Sequence, residues 1–416
     1  MKFSDMKPQV FALAQEAENE IRPQFERIDR IAQQNTLKVM QAFQDNKVSD
    51  SCFAGTTGYG YDDVGREVLD KVYAQIFCTE TALVRIGFVN GTHALSTALF
   101  AMLKPGDTLL SVTGLPYDTL RNAIGIEGDC HGSLRFYGIN YAQVNLRADG
   151  SPDIEAIKKA SADKSVTAVL IQRSRGYGDR PAFSAEQIGE IARTVKEVDP
   201  SINVMVDNCY GEFTGEHEPT EYGVDLMAGS LIKNPGGGLA PTGGYVVGKA
   251  ELVEKAAMRL TTPGIGGECG ATLGNNRLLF QGLFMAPHIV AQALKTATFC
   301  SAMMSKIGFE TSPAPNEVRS DIIQMVTLRT ADNMKKFCKG IQSGAPVDSY
   351  VTPEPWQMPG YNCPVIMAAG AFIQGSSIEL SADGPMKEPF IAYMQGGITY
   401  ESGKLGIMMA VNEMLE

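Results

Sequence analysis

Between residues 67 and 250 the chain alternates helical and strand-like patterns, and this limits its fold more than any other feature. "REVLDKVYAQIF" carries apolar residues at helical spacing, "ALVRIGFV" reads as a strand, and "NGTHALSTALFAML" as a helix opened by a turn. The same alternation continues through "TLLSVTG", "YDTLRNAIG", "PDIEAIKKAS", "SVTAVLIQ", "SAEQIGEIARTVKEV", "INVMVDN" and "LMAGSLI". Strands that alternate with helices form a mostly parallel sheet with helices on its faces. Ligands of such sheets bind at the carboxyl ends of the strands, and the unusual motifs of this chain fall at those ends.

Outside that region the text changes. Residues 7–47 read as helical, with Pro23 expected to break them into two helices. "CFAGTTGYGYDDVGRE" is too rich in glycine and tyrosine to be regular. A long helix is expected near 286–306, followed by short strand-like runs, "DIIQMVTL" and "PVIMAAGAFIQ", which place a smaller domain from about residue 290 onward. Composition excludes several classes. A net charge of −11 opposes a nucleic-acid partner. No apolar run is long enough for a membrane helix, and the N-terminus lacks the apolar core of a signal peptide. Eight cysteines without a CxxC pair argue against a zinc site and a disulfide framework, so a reduced, cytoplasmic protein is expected.

The residues that point to chemistry are a lysine and an aspartate. Lys233 stands between the apolar run "LMAGSLI" and the glycine-dense "NPGGGLAPTGG", where a surface loop or a nucleophilic amine at a sheet end would both fit. Asp207 ends the strand "INVMVDN"; a carboxylate there is either a loop cap or the partner of a buried cation. Together they match what pyridoxal phosphate needs, a Schiff-base lysine and a carboxylate for the ring nitrogen. The junction around Gly91 and Thr92, strand to turn to helix, suits an ordinary helix cap or a phosphate site. Ser230 is either a further phosphate contact or a simple strand serine. Tyr117, after a strand end, is placed to stack on a flat ring, and His93 competes for that role. Tyr59, Tyr61 and Arg66 lie in a loop that is either surface packing or site. Arg173 and Arg175, which flank Ser174 after a strand, suit carboxylate or phosphate recognition, or plain solvent exposure.

"VNGTHA", "LPYDTL", "IQRSRGY", "VMVDNCYGEF", "SLIKNPGGG" and "PEPWQMPGY" together resemble the methionine γ-lyase-like, or aluminum resistance, group of fold-type-I pyridoxal-phosphate enzymes. The resemblance implies a large cofactor-binding α/β domain at 67–289 and a smaller α+β domain at 290–416. Residues 1–66 would form an N-terminal helical arm and interface loop. It implies Lys233 as the Schiff-base lysine, Asp207 at the ring nitrogen, Gly91 and Thr92 with Ser230 at the phosphate, and Tyr117 as the stacking ring. By likeness to the cystathionine lyases, Tyr59, Tyr61 and Arg66 would reach a neighbouring subunit's site in a homodimer or homotetramer. The spacing of "GYGYDDVGR" departs from theirs, and Ile232 stands where they carry a small hydroxyl residue. Arg319 in "PNEVRSDIIQ" is the candidate for the substrate carboxylate, with Arg173 as another. The expected activity is elimination at Cβ or Cγ of a sulfur-containing amino acid. Transamination, aldol cleavage and cofactor binding without turnover remain open, and no metal site is expected.

Overall fold

The computed structural model describes residues 2–128, 131–358 and 363–415. By compactness the chain divides into residues 36–284 and a second unit made of 1–35 with 285–416. The N-terminal segment expected to be a separate arm over 1–66 is therefore split, its first 35 residues grouping with the C-terminal part of the chain.

The helices of the first part of the chain are α1 (Pro8–Asp45), α2 (Val64–Ile76), α3 (Gly91–Met102), α4 (Asp118–Ile124), α5 (Ile154–Ser161), α6 (Ala185–Val198), α7 (Ala250–Leu260) and α8 (Asn276–Lys306). The strands are β1 (Thr81–Arg85), β2 (Thr108–Ser111), β3 (Asn140–Gln143), β4 (Val166–Gln172), β5 (Asn203–Asp207), β6 (Leu226–Ser230) and β7 (Gly244–Gly248). They form one seven-stranded sheet in the order β1-β7-β6-β5-β4-β2-β3. The pairs from β6 through β5, β4 and β2 to β3 are parallel, and β7 runs antiparallel to both its neighbours. The central strands read as continuous apolar text because both faces are covered. Leu109, Ala168, Leu170, Met205, Leu226, Ala228 and Val246 pack with Leu95, Ala98 and Leu99 of α3 and Ala256 of α7. Burying each such leucine or valine is worth roughly 1.5–3 kcal/mol. Caps fix where the helices begin: Asn90 accepts from the N–H of His93, and Ser184 with Gln187 forms a capping box on α6.

The second unit contains β8 (Glu310–Ser312), β9 (Ile323–Thr327), α9 (Ala331–Ser343), β10 (Val365–Ala369), β11 (Ser381–Pro385), β12 (Ile391–Gln395) and α10 (Tyr400–Met414). Its strands make an antiparallel sheet in the order β10-β11-β12-β9-β8. Phe337, Cys338 and Ile341 of α9, Ile407 and Met408 of α10, and Val10, Ala14, Ala17 and Ile21 of α1 share its core.

Pro23 does not break α1, which runs on as one helix of 38 residues with the proline inside. Its apolar stripe, from Val10 to Ile21 and on to Ile28, is buried on both sides of Pro23. Packing of that stripe outweighs the one hydrogen bond that proline removes. Among the described residues no helix is long and apolar enough to cross a membrane. The last residues of "PEPWQMPGY", 359–361, lie outside the described residues.

Candidate active site

The carboxyl ends of β4, β5 and β6 lie side by side, with Gln172 paired to Asp207 and Asp207 to Ala228. The chain therefore delivers Arg173, Asp207 and Ser230 to one end of the sheet. Beyond β6, Leu231 donates to the carbonyl of Gly243, so the loop that carries Lys233 is closed by the returning strand β7.

Asp207 is buried, and its Oδ1 accepts the N–H of Cys209 at 3.1 Å. Burial pushes its carboxyl above the ordinary range, while Lys233 pulls in the opposite direction. Lys233 is half-buried, and its Nζ lies 4.0 Å from the centre of the Tyr210 ring. Desolvation works against its charge, but its neighbours Cys209, Tyr210, Asp207 and Tyr117 act the other way and leave the amine well above the usual lysine value. Burial, then the charge of Asp207, pushes the Cys209 thiol up, so it is held as a neutral thiol.

On the other side, α3 opens at Gly91. A Cβ at this position would meet Cβ of Ser230 at 3.2 Å and Sγ of Cys209 at 3.6 Å, so glycine leaves open the space between the helix start and the strand end. The Thr92 hydroxyl lies 2.8 Å from that of Tyr117 and 2.9 Å from that of Thr119. Gln172 positions Tyr117 by accepting its N–H at 2.9 Å. Burial, and after it Asp207, raises the Tyr117 phenol, which stays protonated. The Ser230 hydroxyl is buried and has no hydrogen-bond partner among the described residues, a state that needs an explanation in a native site.

These residues fit pyridoxal phosphate. An orphaned serine hydroxyl, a helix N-terminus and two threonine hydroxyls offer donors to a phosphate. Asp207 offers a carboxylate to a protonated ring, and Lys233 an amine to an aldehyde.

Other expected site residues are placed differently. Arg173 is wholly buried. Its guanidinium is turned inward, donating to Asn208 Oδ1 at 2.8 Å, Glu218 Oε2 at 3.1 Å and Thr214 Oγ1 at 3.3 Å. A charge this deep needs the Glu218 carboxylate beside it. Arg175 is buried too. The His93 ring turns back on the preceding turn, where Nδ1 accepts the Val89 N–H at 3.1 Å and the ring meets Phe88 edge-on. Arg66 is buried and donates to the carbonyls of Gly60, Gly270 and Glu268, which ties the 58–66 loop to the 268–270 segment. Tyr59 and Tyr61 stack on each other, 74% and 56% exposed. Arg319 belongs to the other unit, where it donates to the Thr298 hydroxyl and the Ala297 carbonyl.

The sequence reading passed over Cys209, Tyr210, Gln172 and Arg180. Arg180 donates to the carbonyls of Gln172 and Ser174 and adds positive charge near Asp207. Buried Glu212 was passed over as well. Its Oε1 accepts the Tyr245 hydroxyl at 2.7 Å, its Oε2 has no partner among the described residues, and burial pushes its carboxyl up to about 8. The signal for Cys209, Tyr210 and Glu212 was their place within five residues of Asp207.

Among the described residues no three His, Cys, Asp or Glu side chains are grouped to hold a metal ion. The protein YnbB of Bacillus subtilis (strain 168) is 48% identical over 97% of this chain and 96% of its own length. The crystal structure of a carbon–sulfur lyase involved in aluminum resistance, from Clostridium novyi NT, has a TM-score of 0.95 and 53% identity, covering 98% of this chain and 96% of that one. A pyridoxal-5'-phosphate-dependent protein from Escherichia coli, YhfS, shares the fold at a TM-score of 0.61 and 19% identity, over 91% of this chain and 94% of that one. A family model described as methionine gamma-lyase matches residues 10–415. With a match that spans both units and takes in Asp207, Ser230 and Lys233, the chain belongs to the methionine gamma-lyase family.

Proposed function

We propose that the protein is a pyridoxal-phosphate-dependent carbon–sulfur lyase that eliminates a thiol from Cβ or Cγ of a sulfur-containing amino acid such as cystathionine, cysteine or methionine. Family and structural neighbours point to this class of lyase. The observation that carries the reading is the convergence of Lys233, Asp207 and the unpartnered Ser230 hydroxyl at one end of the sheet.

When bound, the cofactor supplies an aldehyde that joins to amines and a cationic ring that takes up the electrons left at Cα. The protein's residues do the rest. Asp207 would keep the ring nitrogen protonated, its burial favouring that pairing. Ser230, Thr92 and the first N–H groups of α3 would hold the phosphate, and Tyr117 would cover the ring. The Lys233 amine, when free and neutral, would take the Cα proton of the substrate. The carbon–sulfur bond breaks, the sulfur leaves as a thiol with one proton, and water converts the remainder to a keto acid and ammonia. Tyr59 and Tyr61, exposed on their loop, support a homodimer or homotetramer in which this loop completes a neighbour's site. The purified protein then sediments as one of these.

The test is a panel of sulfur amino acids, with thiol, ammonia and keto acid measured together. Equal thiol and ammonia from at least one substrate is expected, with pyruvate marking β-elimination and 2-oxobutyrate γ-elimination. Lys233→Ala abolishes either product. A need for an added keto acid with no ammonia, or glycine and an aldehyde from a β-hydroxy amino acid, would replace the lyase reading. Bound cofactor with none of these products would leave a non-catalytic role.

A further inference from the structure

The loop after β5 is bent in a way that only its side chains explain. Tyr210 has φ 71° and Phe213 φ 62°, a region that bulky residues rarely adopt and keep only when their surroundings hold them there. The surroundings do hold them. The Arg173 N–H donates to the Asp207 carbonyl, and its guanidinium bonds Asn208, Thr214 and Glu218. Glu218 in turn accepts from the Asn208 side chain at 3.1 Å and from the Phe213 N–H at 2.8 Å. The bend turns the Tyr210 ring toward Lys233, whose Nζ lies 4.0 Å from the ring centre. A cation over an aromatic face is attracted by the ring's quadrupole, more so where water is scarce.

We propose that the face of Tyr210 is the seat of the Lys233 ammonium, holding the amine charged and in place whenever it is not joined to the cofactor. Tyr210 thereby sets the pH at which Lys233 becomes a base. The proposal rests on the reading of Lys233 as the cofactor-bearing lysine. The groups that face this amine are Asp207, Cys209 and Tyr210 on the loop after β5, Glu212 further along it, and Tyr117 at the start of α4. Asp207 favours the charged amine as the ring does, so the ring's share is isolated by changing Tyr210 alone.

The experiment uses the full-length protein freed of cofactor, as wild type, Tyr210→Phe and Tyr210→Leu. Pyridoxal phosphate is added and its capture followed by absorbance from neutral to alkaline pH. The lone pair of the neutral amine adds to the aldehyde and water leaves, so the rate follows the neutral fraction of Lys233. Loss of a shielded cation–ring contact lowers the amine pKa by about one unit, so Tyr210→Leu captures the cofactor about tenfold faster at neutral pH. Tyr210→Phe keeps the ring and keeps the wild-type profile. Near-UV circular dichroism checks folding, and Tyr210→Met serves as the ringless variant if leucine does not fold.

A Leu profile that coincides with wild type or moves to higher pH overturns the seat, as does a Phe profile that moves with Leu. Borohydride reduction of the same samples tells the two readings apart. Label on a peptide without Lys233 sinks the cofactor reading itself. Label on Lys233 with an unshifted profile sinks only the seat.

Discussion

Replacing Arg173 by methionine separates a structural cation from a substrate-binding one. The side chain is among the largest that are wholly buried, and it makes three hydrogen bonds, of 2.8, 3.1 and 3.3 Å. Methionine fills much of the same volume but leaves the Glu218 carboxylate in the interior without its cationic partner, held by the Asn208 amide and the Phe213 N–H. Removing one partner of a buried pair costs about 3–5 kcal/mol, because the other charge is stranded. For a unit of this size each kcal/mol moves the melting temperature by about 2–4 °C. The expected drop is therefore roughly 10 °C, measured by thermal melts of the cofactor-loaded protein. Adding Glu218→Gln removes the stranded charge, and the double variant should recover part of the loss, with a coupling of about 0.5–3 kcal/mol between the sites. An Arg173→Met protein that melts like wild type but has a raised KM for the amino acid would refute this account and return Arg173 to the substrate.

Two further perturbations test the site. Asp207→Asn keeps the shape of the side chain but not its charge, so the fold should persist while turnover falls by at least about 10²-fold; steady-state kinetics at wild-type level would show that ring protonation does not depend on it. Glu212 carries a folded-state pKa of about 8, above its ordinary value near 4.5, so the stability it contributes is full below the lower value and is lost as pH rises through the higher one. Glu212→Gln should flatten the fall in denaturation midpoint across that window, and parallel profiles for the two proteins would contradict the assignment.

The parallel core of the sheet was legible because both its faces are covered, which wrote β4, β5 and β6 as apolar runs between helices. Strand β3, "NYAQ", was not seen. It lies at the sheet edge with exposed and half-exposed side chains, so its text carries no apolar pattern. In the second unit β11, "SADGP", hides its strand behind glycine and a final proline. The site divides in the same way. Lys233, Asp207, Ser230, Gly91, Thr92 and Tyr117 stand at the ends of regular elements, where sequence order fixes position. Arg173 stands at such an end too, but nothing local reveals that its charge turns inward. Its partner Glu218 is 45 residues away in the chain. The loop conformation that brings Tyr210 under Lys233 depends on that same distant pair.

The closed loop between β6 and β7 also bears on attempts to redirect the protein to new substrates. Ser230 and Gly244 are locked in register across the sheet. Between them, a Cβ at Gly236 would run into the Leu231 carbonyl oxygen, and one at Gly282 into the Gly236 carbonyl from the other side. Backbone presses on backbone there, leaving no flexible side chain to give way. A mutagenesis library that varies Gly236 or Gly282 is therefore expected to yield chains that do not fold, whatever the aim at the neighbouring site.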